Sequence, residues 1–245
     1  MKAYVINLAR STERRSYMER ILSEYPQLDV EFVEAVDGKS LTKSQSEESF
    51  DSDRFKNETT KIVRPGEIGC TLSHQKCYRK MVDEGVDCAL IFEDDLIINE
   101  NLDSFIMNIH DWLTDDEPRL LLLSGWFWFS SSSPFDNKHI IAKVIDGYLT
   151  HSYALNISAA KMMIDQRPWY VADAWDMFIR RGVKIYGLRP HICDQDWSGV
   201  FKTIVNDECQ QSSYSHDLKS FIRTKKRSLI QKILKLLGKF EKPER

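Results

Sequence analysis

The first half of the chain alternates short apolar runs with segments of helical periodicity. Residues 3–8 and 30–36 are apolar enough for buried strands, and residues 12–25 between them carry apolar side chains at helical spacing. Ser11 stands where a helix N-cap is expected. This β-α-β opening predicts an α/β fold with a mostly parallel central sheet, in which ligands bind beyond the carboxyl ends of the strands.

The same reasoning places elements along the rest of the chain. Helices are predicted at residues 67–83, 102–113, 158–164 and 172–180, and strands at residues 88–92, 120–123, 153–157 and 183–188. The polar residues 40–60 favour either a mobile loop or a loosely helical insertion. The serine-rich residues 130–134 predict a flexible loop.

The C-terminal segment differs in character from the rest. Residues 218–240 interleave apolar positions with lysines and arginines, which predicts a basic amphipathic helix. We therefore expect residues 1–215 to form one domain and residues 216–245 a tail. The tail suits peripheral contact with an anionic membrane, where each basic residue contributes about 1 kcal/mol. The alternative is a helix packed on the domain with a solvated basic face.

Composition narrows the class of protein. The formal net charge of -3 gives no reason to expect a nucleic-acid partner. The five cysteines form no CxxC pair or zinc pattern, which favours reduced thiols in the cytoplasm. The chain opens on a strand pattern instead of a secretory signal, and no apolar run approaches the length of a membrane span. We expect a cytoplasmic protein, peripheral on the inner membrane.

The strongest chemical signal is the acidic trio Glu93, Asp94 and Asp95 at the end of an apolar run. Three adjacent carboxylates repel one another, and a hard divalent cation such as Mg²⁺ or Mn²⁺ would relieve the repulsion. Alternation along a strand places Glu93 and Asp95 on one side. The structural alternative is an acidic turn that caps the next helix.

Three other segments carry candidate binding groups. Residues 65–74 combine a Pro-Gly turn, a helix start, Ser73 and His74, although such a pair more often makes structural hydrogen bonds. Arginines follow the first strand, where they could meet phosphate. Residues 126–129 are all aromatic and suit either a lid over a sugar or core packing.

Together these motifs resemble glycosyltransferase family 25 in order and spacing. The resemblance rests on residues 6–15, 36–38, 66–74 and 92–95, and continues more loosely through residues 153–158 and 171–173 to Pro190, Gln195 and Ser198. It implies a GT-A-like fold that binds a UDP-sugar with Mn²⁺ or Mg²⁺. Asp95 is then the expected metal ligand, with Asp94 second. The implied donor-binding residues are Asn7, Leu8, Arg10, Ser11, Arg14, Asp37, Gly69, Ser73, His74, Glu93 and Asp94.

The resemblance also implies a reaction. We expect transfer of galactose, with inversion, to a lipid-linked oligosaccharide of the lipopolysaccharide type. Inversion needs a carboxylate that accepts the acceptor's proton, and Asp173 is the first candidate with Asp176 second. Helix capping is the structural alternative for both, and Trp175 beside them suits either sugar stacking or core. Two other functions stay open: an inactive nucleotide-sugar-binding module and a Mg²⁺-dependent phosphohydrolase.

Overall fold

A nine-stranded sheet forms the centre of the molecule. The computed structural model describes residues 1–196 and 218–243. The sheet order is β11-β6-β7-β9-β5-β8-β3-β1-β2, and β4 and β10 pair in a separate ribbon. The strands are β1 (Lys2–Asn7), β2 (Asp29–Glu34), β3 (Cys88–Glu93), β4 (Leu96–Ile98), β5 (Arg119–Leu122), β6 (Phe127–Pro134), β7 (Ile140–Gly147), β8 (Ser152–Asn156), β9 (Lys184–Arg189), β10 (Cys193–Gln195) and β11 (Phe240–Glu241).

Helices cover both faces of this sheet. They are α1 (Thr12–Leu22), α2 (Lys43–Ser49), α3 (Ser52–Thr59), α4 (Pro65–Asp83), α5 (Asp103–Leu113), α6 (Ile157–Met163), α7 (Trp175–Arg181) and α8 (Leu218–Leu236). The apolar runs and helical periodicities therefore predicted most elements within a few residues. The α6 N-cap is Asn156, whose side chain accepts from Ala159 N, so this helix begins one residue before the predicted range of 158–164.

The prediction of a mostly parallel sheet is wrong, because the sheet is mixed. Among the strands of the described residues, only β1–β2, β1–β3 and β5–β9 pair in parallel. Strand β8 lies antiparallel between β3 and β5. Residues 130–134, predicted as a flexible loop, belong to β6, which pairs with β7 in a hairpin and with β11. Exposed serines are tolerated there because their backbone groups bond to neighbouring strands.

Two apolar layers sandwich the sheet. Along β1, Tyr4 and Ile6 belong to the layer beneath α4, α6 and α7, whereas Ala3 and Val5 belong to the layer beneath α1 and α5. This alternation follows from the two-residue repeat of a strand. Burial on both faces explains why the central strands are almost continuously apolar.

Residues 40–60 contain the helices α2 and α3. Of the two alternatives predicted for them, a mobile loop and a helical insertion, the structure shows the helical one. Thr42 forms a capping box with Gln45, and the Asp51 side chain caps α3. Phe50 and Phe55 are buried with apolar residues of α4. Two phenylalanines in a polar stretch are enough to dock both short helices.

The C-terminal residues pack against the same sheet. Strand β11 pairs with β6, and Arg227 of α8 donates two hydrogen bonds to the buried Asp146. Gln231 donates to the same carboxylate at 2.7 Å. Among the described residues, no helix is long and apolar enough to cross a membrane.

Candidate active site

A cavity of about 490 Å³ opens beyond the carboxyl ends of β1 and β3. It is lined by Ile6, Leu8, Arg14, Ala35, Val36, Asp37, Gly38, Lys39, Arg64, Gly66, Glu67, Cys70, Ser73, His74, Glu93, Asp94, Asp95, Trp126, Leu149, Thr150, His151, Val171, Ala172, Asp173 and Gln195. Its position follows the rule that α/β sheets bind ligands at strand carboxyl ends. Most residues proposed from the sequence therefore lie around one space.

Asp94 is held by two polar side chains. Its Oδ1 accepts from Arg14 at 2.7 Å, and its Oδ2 accepts from Asn7 Nδ2 at 2.7 Å. All three residues are buried. Burial raises the pKa of Asp94, and the bonds from Arg14 and Asn7 oppose that rise. One oxygen thus holds α1 and the other holds the end of β1 against the end of β3.

Asp95 differs from its neighbour in having an oxygen left over. Its Oδ2 accepts from Gln195 Nε2 at 2.9 Å, whereas its buried Oδ1 has no hydrogen-bond partner among the described residues. Burial and then the charge of Glu93 raise the pKa of Asp95 to about 7. A buried carboxylate oxygen without a donor is costly, so Asp95 is a candidate for binding a cation through Oδ1.

Glu93 belongs to a hydrogen-bonded network with His74. Glu93 Oε1 lies 3.3 Å from His74 Nε2 and also accepts from Thr150 Oγ1. On the other side of the imidazole, Nδ1 lies 2.7 Å from the hydroxyl of Tyr153. Burial raises the pKa of Glu93, but the contacts with His74 outweigh it and the pKa is lowered. Glu93 therefore stays ionised inside the cavity.

The floor of the cavity is a close contact between two backbones. A Cβ on Gly38 would lie 1.7 Å from the carbonyl oxygen of Pro65, and one on Gly69 would lie 2.5 Å from that of Val36. Ser73 Oγ accepts from Val36 N at 2.8 Å and donates to Gly69 O at 2.6 Å. Gly69 and Ser73 thus hold the loop after β2 against α4.

Asp173 and Asp176 lie in different surroundings. Asp173 lines the cavity, and its Oδ2 accepts from Leu149 N at 3.3 Å. Burial raises the pKa of Asp173. Asp176 is not among the lining residues, and it forms an ion pair with Arg180 one turn along α7. Trp175 is fully buried, so it is core, and its Nε1 donates to Leu149 O at 3.0 Å.

Trp126 forms a wall of the cavity, and the C-terminal strand supports it. Trp126 adopts a positive φ of 75°, and its N donates to Glu241 O at 2.8 Å. Phe127, Trp128 and Phe129 are buried in the core. Of the four aromatic residues, only Trp126 borders the cavity.

Glu241 itself ties β11 to the segment that carries Gln195. Its carboxylate accepts from Arg189 Nε at 2.7 Å and contacts His191 Nδ1 at 2.9 Å. Burial lowers the pKa of His191, but hydrogen bonds with Asp194 and Glu241 outweigh it and raise the pKa to about 9. The C-terminal residues thus brace one side of the cavity.

The remaining predicted residues lie at or near the rim. Leu8 and Asp37 line the cavity, and Arg10 pairs with Asp37. Ser11 is the N-cap of α1, and its carbonyl oxygen accepts from Arg15 N at 3.0 Å, but its side chain makes no cap hydrogen bond. Ser198 lies outside the described residues.

The sequence analysis missed Thr150 and His151, which line the cavity just before β8. Neither ring nitrogen of His151 has a partner among the described residues, and burial lowers its pKa to about 4. The sequence does show two polar residues directly before a predicted strand. Their place in the cavity could be predicted only from the antiparallel pairing of β8 with β3, because that pairing brings the start of β8 next to the end of β3.

The comparison with known proteins identifies the family. A model described as glycosyltransferase family 25 (LPS biosynthesis protein) matches residues 1–179. The chain belongs to glycosyltransferase family 25.

Its relatives in this family are larger proteins. Human procollagen galactosyltransferase 2 is 28% identical over 176 residues, which cover 68% of this chain and 28% of that protein. A glycosyltransferase 25 family member of Aedes aegypti is 30% identical and covers 67% of this chain and 28% of that protein. A rat protein called probable inactive glycosyltransferase 25 family member 3 is 27% identical over 187 residues, which cover 73% of this chain and 32% of that protein. The chain spans less than a third of the length of these relatives.

The acidic trio of this family 25 chain fits a hard divalent cation. Asp95 offers an unpartnered buried oxygen, and Glu93 is an ionised neighbour on the same cavity. Oxygen ligands suit Mg²⁺ and Mn²⁺. Asp94, the predicted second ligand, accepts hydrogen bonds from Arg14 and Asn7 on its two oxygens. Asp95 and Glu93 are therefore the first candidates for the metal ligands, and Asp94 stays a predicted one.

Proposed function

We propose that this chain transfers a sugar, with galactose as the first candidate, from a UDP-sugar to a hydroxyl of a glycan in a metal-dependent reaction. The observation that carries the proposal is the buried Oδ1 of Asp95, which has no hydrogen-bond partner among the described residues and lines the same cavity of about 490 Å³ as Glu93. That volume falls in the usual range for small-molecule sites. Membership of family 25 and its galactosyltransferase relatives support galactose, and the proposed architecture is a GT-A-like variant with a mixed sheet.

The acidic residues have separate roles in this proposal. Asp95 and Glu93 would hold Mn²⁺ or Mg²⁺, which when bound offsets the negative charge of the departing nucleotide diphosphate. Arg14 is tied to Asp94 and lies 3.5 Å from Asp95 Oδ2, so it limits the repulsion within the trio. His74 keeps Glu93 ionised and oriented. None of these groups needs to move a proton.

Asp173 is the proposed base for the acceptor hydroxyl. Its carboxylate lies in the cavity, and burial raises its pKa toward the range in which a carboxylate accepts a proton efficiently. Leu149 N donates to Oδ2, which fixes the carboxylate, and Leu149 has a positive φ of 72°. Direct displacement with this base would invert the configuration at the sugar carbon.

The acceptor is proposed to be lipid-linked, of the lipopolysaccharide type. Helix α8 supports this because Leu229 and Leu236, and Leu237 directly after the helix, are more than half exposed beside its lysines. An apolar face with basic neighbours favours binding to an anionic membrane surface. The proposed location is therefore the cytoplasmic face of the inner membrane.

The test is turnover of UDP-galactose with Mn²⁺ and a glycan acceptor, measured as UDP release. Asp173→Asn should lower kcat by at least about a hundredfold, the usual contribution of a general base. Asp176→Asn is the matched control, because Asp176 pairs with Arg180 outside the cavity lining. Equal activity of the two variants would remove Asp173 as the base. No turnover of any UDP-sugar by the wild type would favour the inactive binding module.

A further inference from the structure

A second set of metal-binding atom types meets in the same cavity. Cys70 and His74 are one turn apart on α4, so their side chains share a face of the helix. Glu93 approaches them from the end of β3. One ligand atom from each residue lies within 4.8 Å of the others, namely a thiol sulfur, an imidazole nitrogen and a carboxylate oxygen.

This donor set differs in chemistry from that of Asp95. Thiolate and imidazole favour zinc and related transition metals, whereas carboxylates alone suit Mg²⁺ and Mn²⁺. Zinc sites with three protein ligands leave a fourth position open for water or substrate. Cys70, His74 and Glu93 all line the cavity, so an open position would face the space proposed for the donor.

The surroundings of His74 match those of a metal-binding histidine. Nδ1 lies 2.7 Å from the hydroxyl of Tyr153, which in turn lies 2.8 Å from that of Tyr78. Such a contact fixes the ring orientation and leaves the other nitrogen free to bind a metal. Nε2 lies 3.3 Å from Glu93 Oε1, so two of the three ligand atoms are already close together.

The charge in this part of the cavity also favours a cation. Burial raises the pKa of the Cys70 thiol, and the negative charges of Glu93, Asp173 and Asp95 add to the rise. The same negative charges attract a divalent ion. As the sulfur–metal bond forms, the S–H bond breaks and its proton leaves to solvent, so each metal bound by this thiol releases one proton.

We propose that Cys70 Sγ, His74 Nε2 and the Glu93 carboxylate form a binding site for Zn²⁺ or Co²⁺. Glu93 is shared with the proposed Mn²⁺ site, so zinc and the metal-bound nucleotide sugar should exclude each other. Zinc would therefore inhibit transfer by occupying the donor side of the cavity. The binding site stands on its own geometry, and only the inhibition rests on the proposed function.

The test of the site is a Co²⁺ titration of the full chain under reducing conditions. A cobalt–thiolate bond produces a charge-transfer absorption in the near ultraviolet, and Zn²⁺ should abolish it by displacement. Cys70→Ser should lose this absorption, whereas Cys88→Ser should keep it, because Cys88 is buried on β3 and belongs to another part of the core. Unchanged circular dichroism of Cys70→Ser would exclude unfolding as the cause. No absorption in the wild type, or full absorption in Cys70→Ser, would overturn the site.

A second variant tests the support from Tyr153. Tyr153→Phe removes only the hydroxyl near His74 and should weaken Zn²⁺ binding about 10–100-fold, the usual effect of losing such a partner. Unchanged affinity would contradict binding through an oriented His74. Competition is read separately as UDP-galactose binding with Mn²⁺, before and after Zn²⁺. Cobalt–thiolate absorption without any UDP-sugar binding would reject the proposed function and support the zinc site. UDP-sugar binding without that absorption would support the proposed function and reject the zinc site.

Discussion

The charge of Asp95 destabilises the unliganded fold, and Asp95→Asn removes it with little change of shape. Burial and the charge of Glu93 raise the pKa of Asp95 to about 7 in the folded protein. The contribution of this carboxyl to the free energy of unfolding is fully present below its unfolded-state pKa of about 4. It is lost as the pH rises through the folded-state pKa of about 7. The wild type should therefore lose stability between about pH 4 and pH 7 through this group.

The size of the effect follows from the pKa and the hydrogen bonds. A pKa of about 7 in place of 3.8 corresponds to about 4 kcal/mol. In Asp95→Asn the amide oxygen can still accept from Gln195, but the NH₂ group takes the place of the unpartnered Oδ1, at a cost of about 1–3 kcal/mol. We expect a net stabilisation of about 1–3 kcal/mol at about pH 8. That gain raises Tm by several degrees at about pH 8, and near pH 4, where the charge term is lost, the cost of the NH₂ group leaves the variant less stable than the wild type.

The assay is thermal unfolding with chelator at about pH 5 and pH 8, on either side of the pKa of Asp95. Asp94→Asn is the matched control, because it makes the same change one residue away. Asp94→Asn disturbs the hydrogen bonds from Arg14 and Asn7, worth about 1.5–3 kcal/mol, and this loss offsets the gain from removing a carboxylate whose pKa burial also raises. We therefore expect Asp94→Asn to be less stable than Asp95→Asn at the higher pH, and the prediction fails if Asp95→Asn is no more stable there than the wild type or than Asp94→Asn.

Three further predictions concern packing around the cavity. Gly125→Ala should cost about 1–3 kcal/mol, because its Cβ would lie 2.8 Å from the Pro243 backbone; an unchanged urea midpoint would contradict this. Gly38→Ala should cost more, since its Cβ would meet Pro65 O at 1.7 Å, and it should also weaken UDP-sugar binding in calorimetry. Removing residues 218–243 should lower Tm and speed limited proteolysis, because β6 loses a paired strand and His191 loses Glu241. A truncated chain with wild-type Tm would show that this segment is a dispensable tail.

The N-terminal half of the fold could be predicted because its signals are local. The apolar runs of β1 and β3 and the helical period of α4 are set by burial on both sides of the sheet. The acidic trio was found for the same reason, since three carboxylates after a buried strand stand out in the sequence. The separate roles of the three carboxylates could not be predicted, because Arg14 and Asn7, which bind Asp94, lie 80 and 87 positions away in the sequence.

The rest depended on pairing between distant strands. The direction of β8 is set by its two neighbours, and without it Thr150 and His151 could not be placed beside Glu93. The serines of β6 have the composition of a loop, and only the pairing with β7 and β11 makes them a strand. Likewise, the two residues of β11 carry no strand signal of their own, yet Glu241 supports the wall formed by Trp126.

The central claim is that Asp95 and its neighbours form a metal-dependent site for a nucleotide sugar. The most direct measurement is calorimetric titration of UDP-galactose into the wild type, Asp95→Asn and Asp176→Asn, each with Mn²⁺ and with chelator. We expect Mn²⁺-dependent binding to the wild type and to Asp176→Asn, and at least about tenfold weaker binding to Asp95→Asn, which has lost the charge of a metal ligand. Equal binding by all three proteins in chelator, or no binding of UDP-galactose to the wild type, would contradict it.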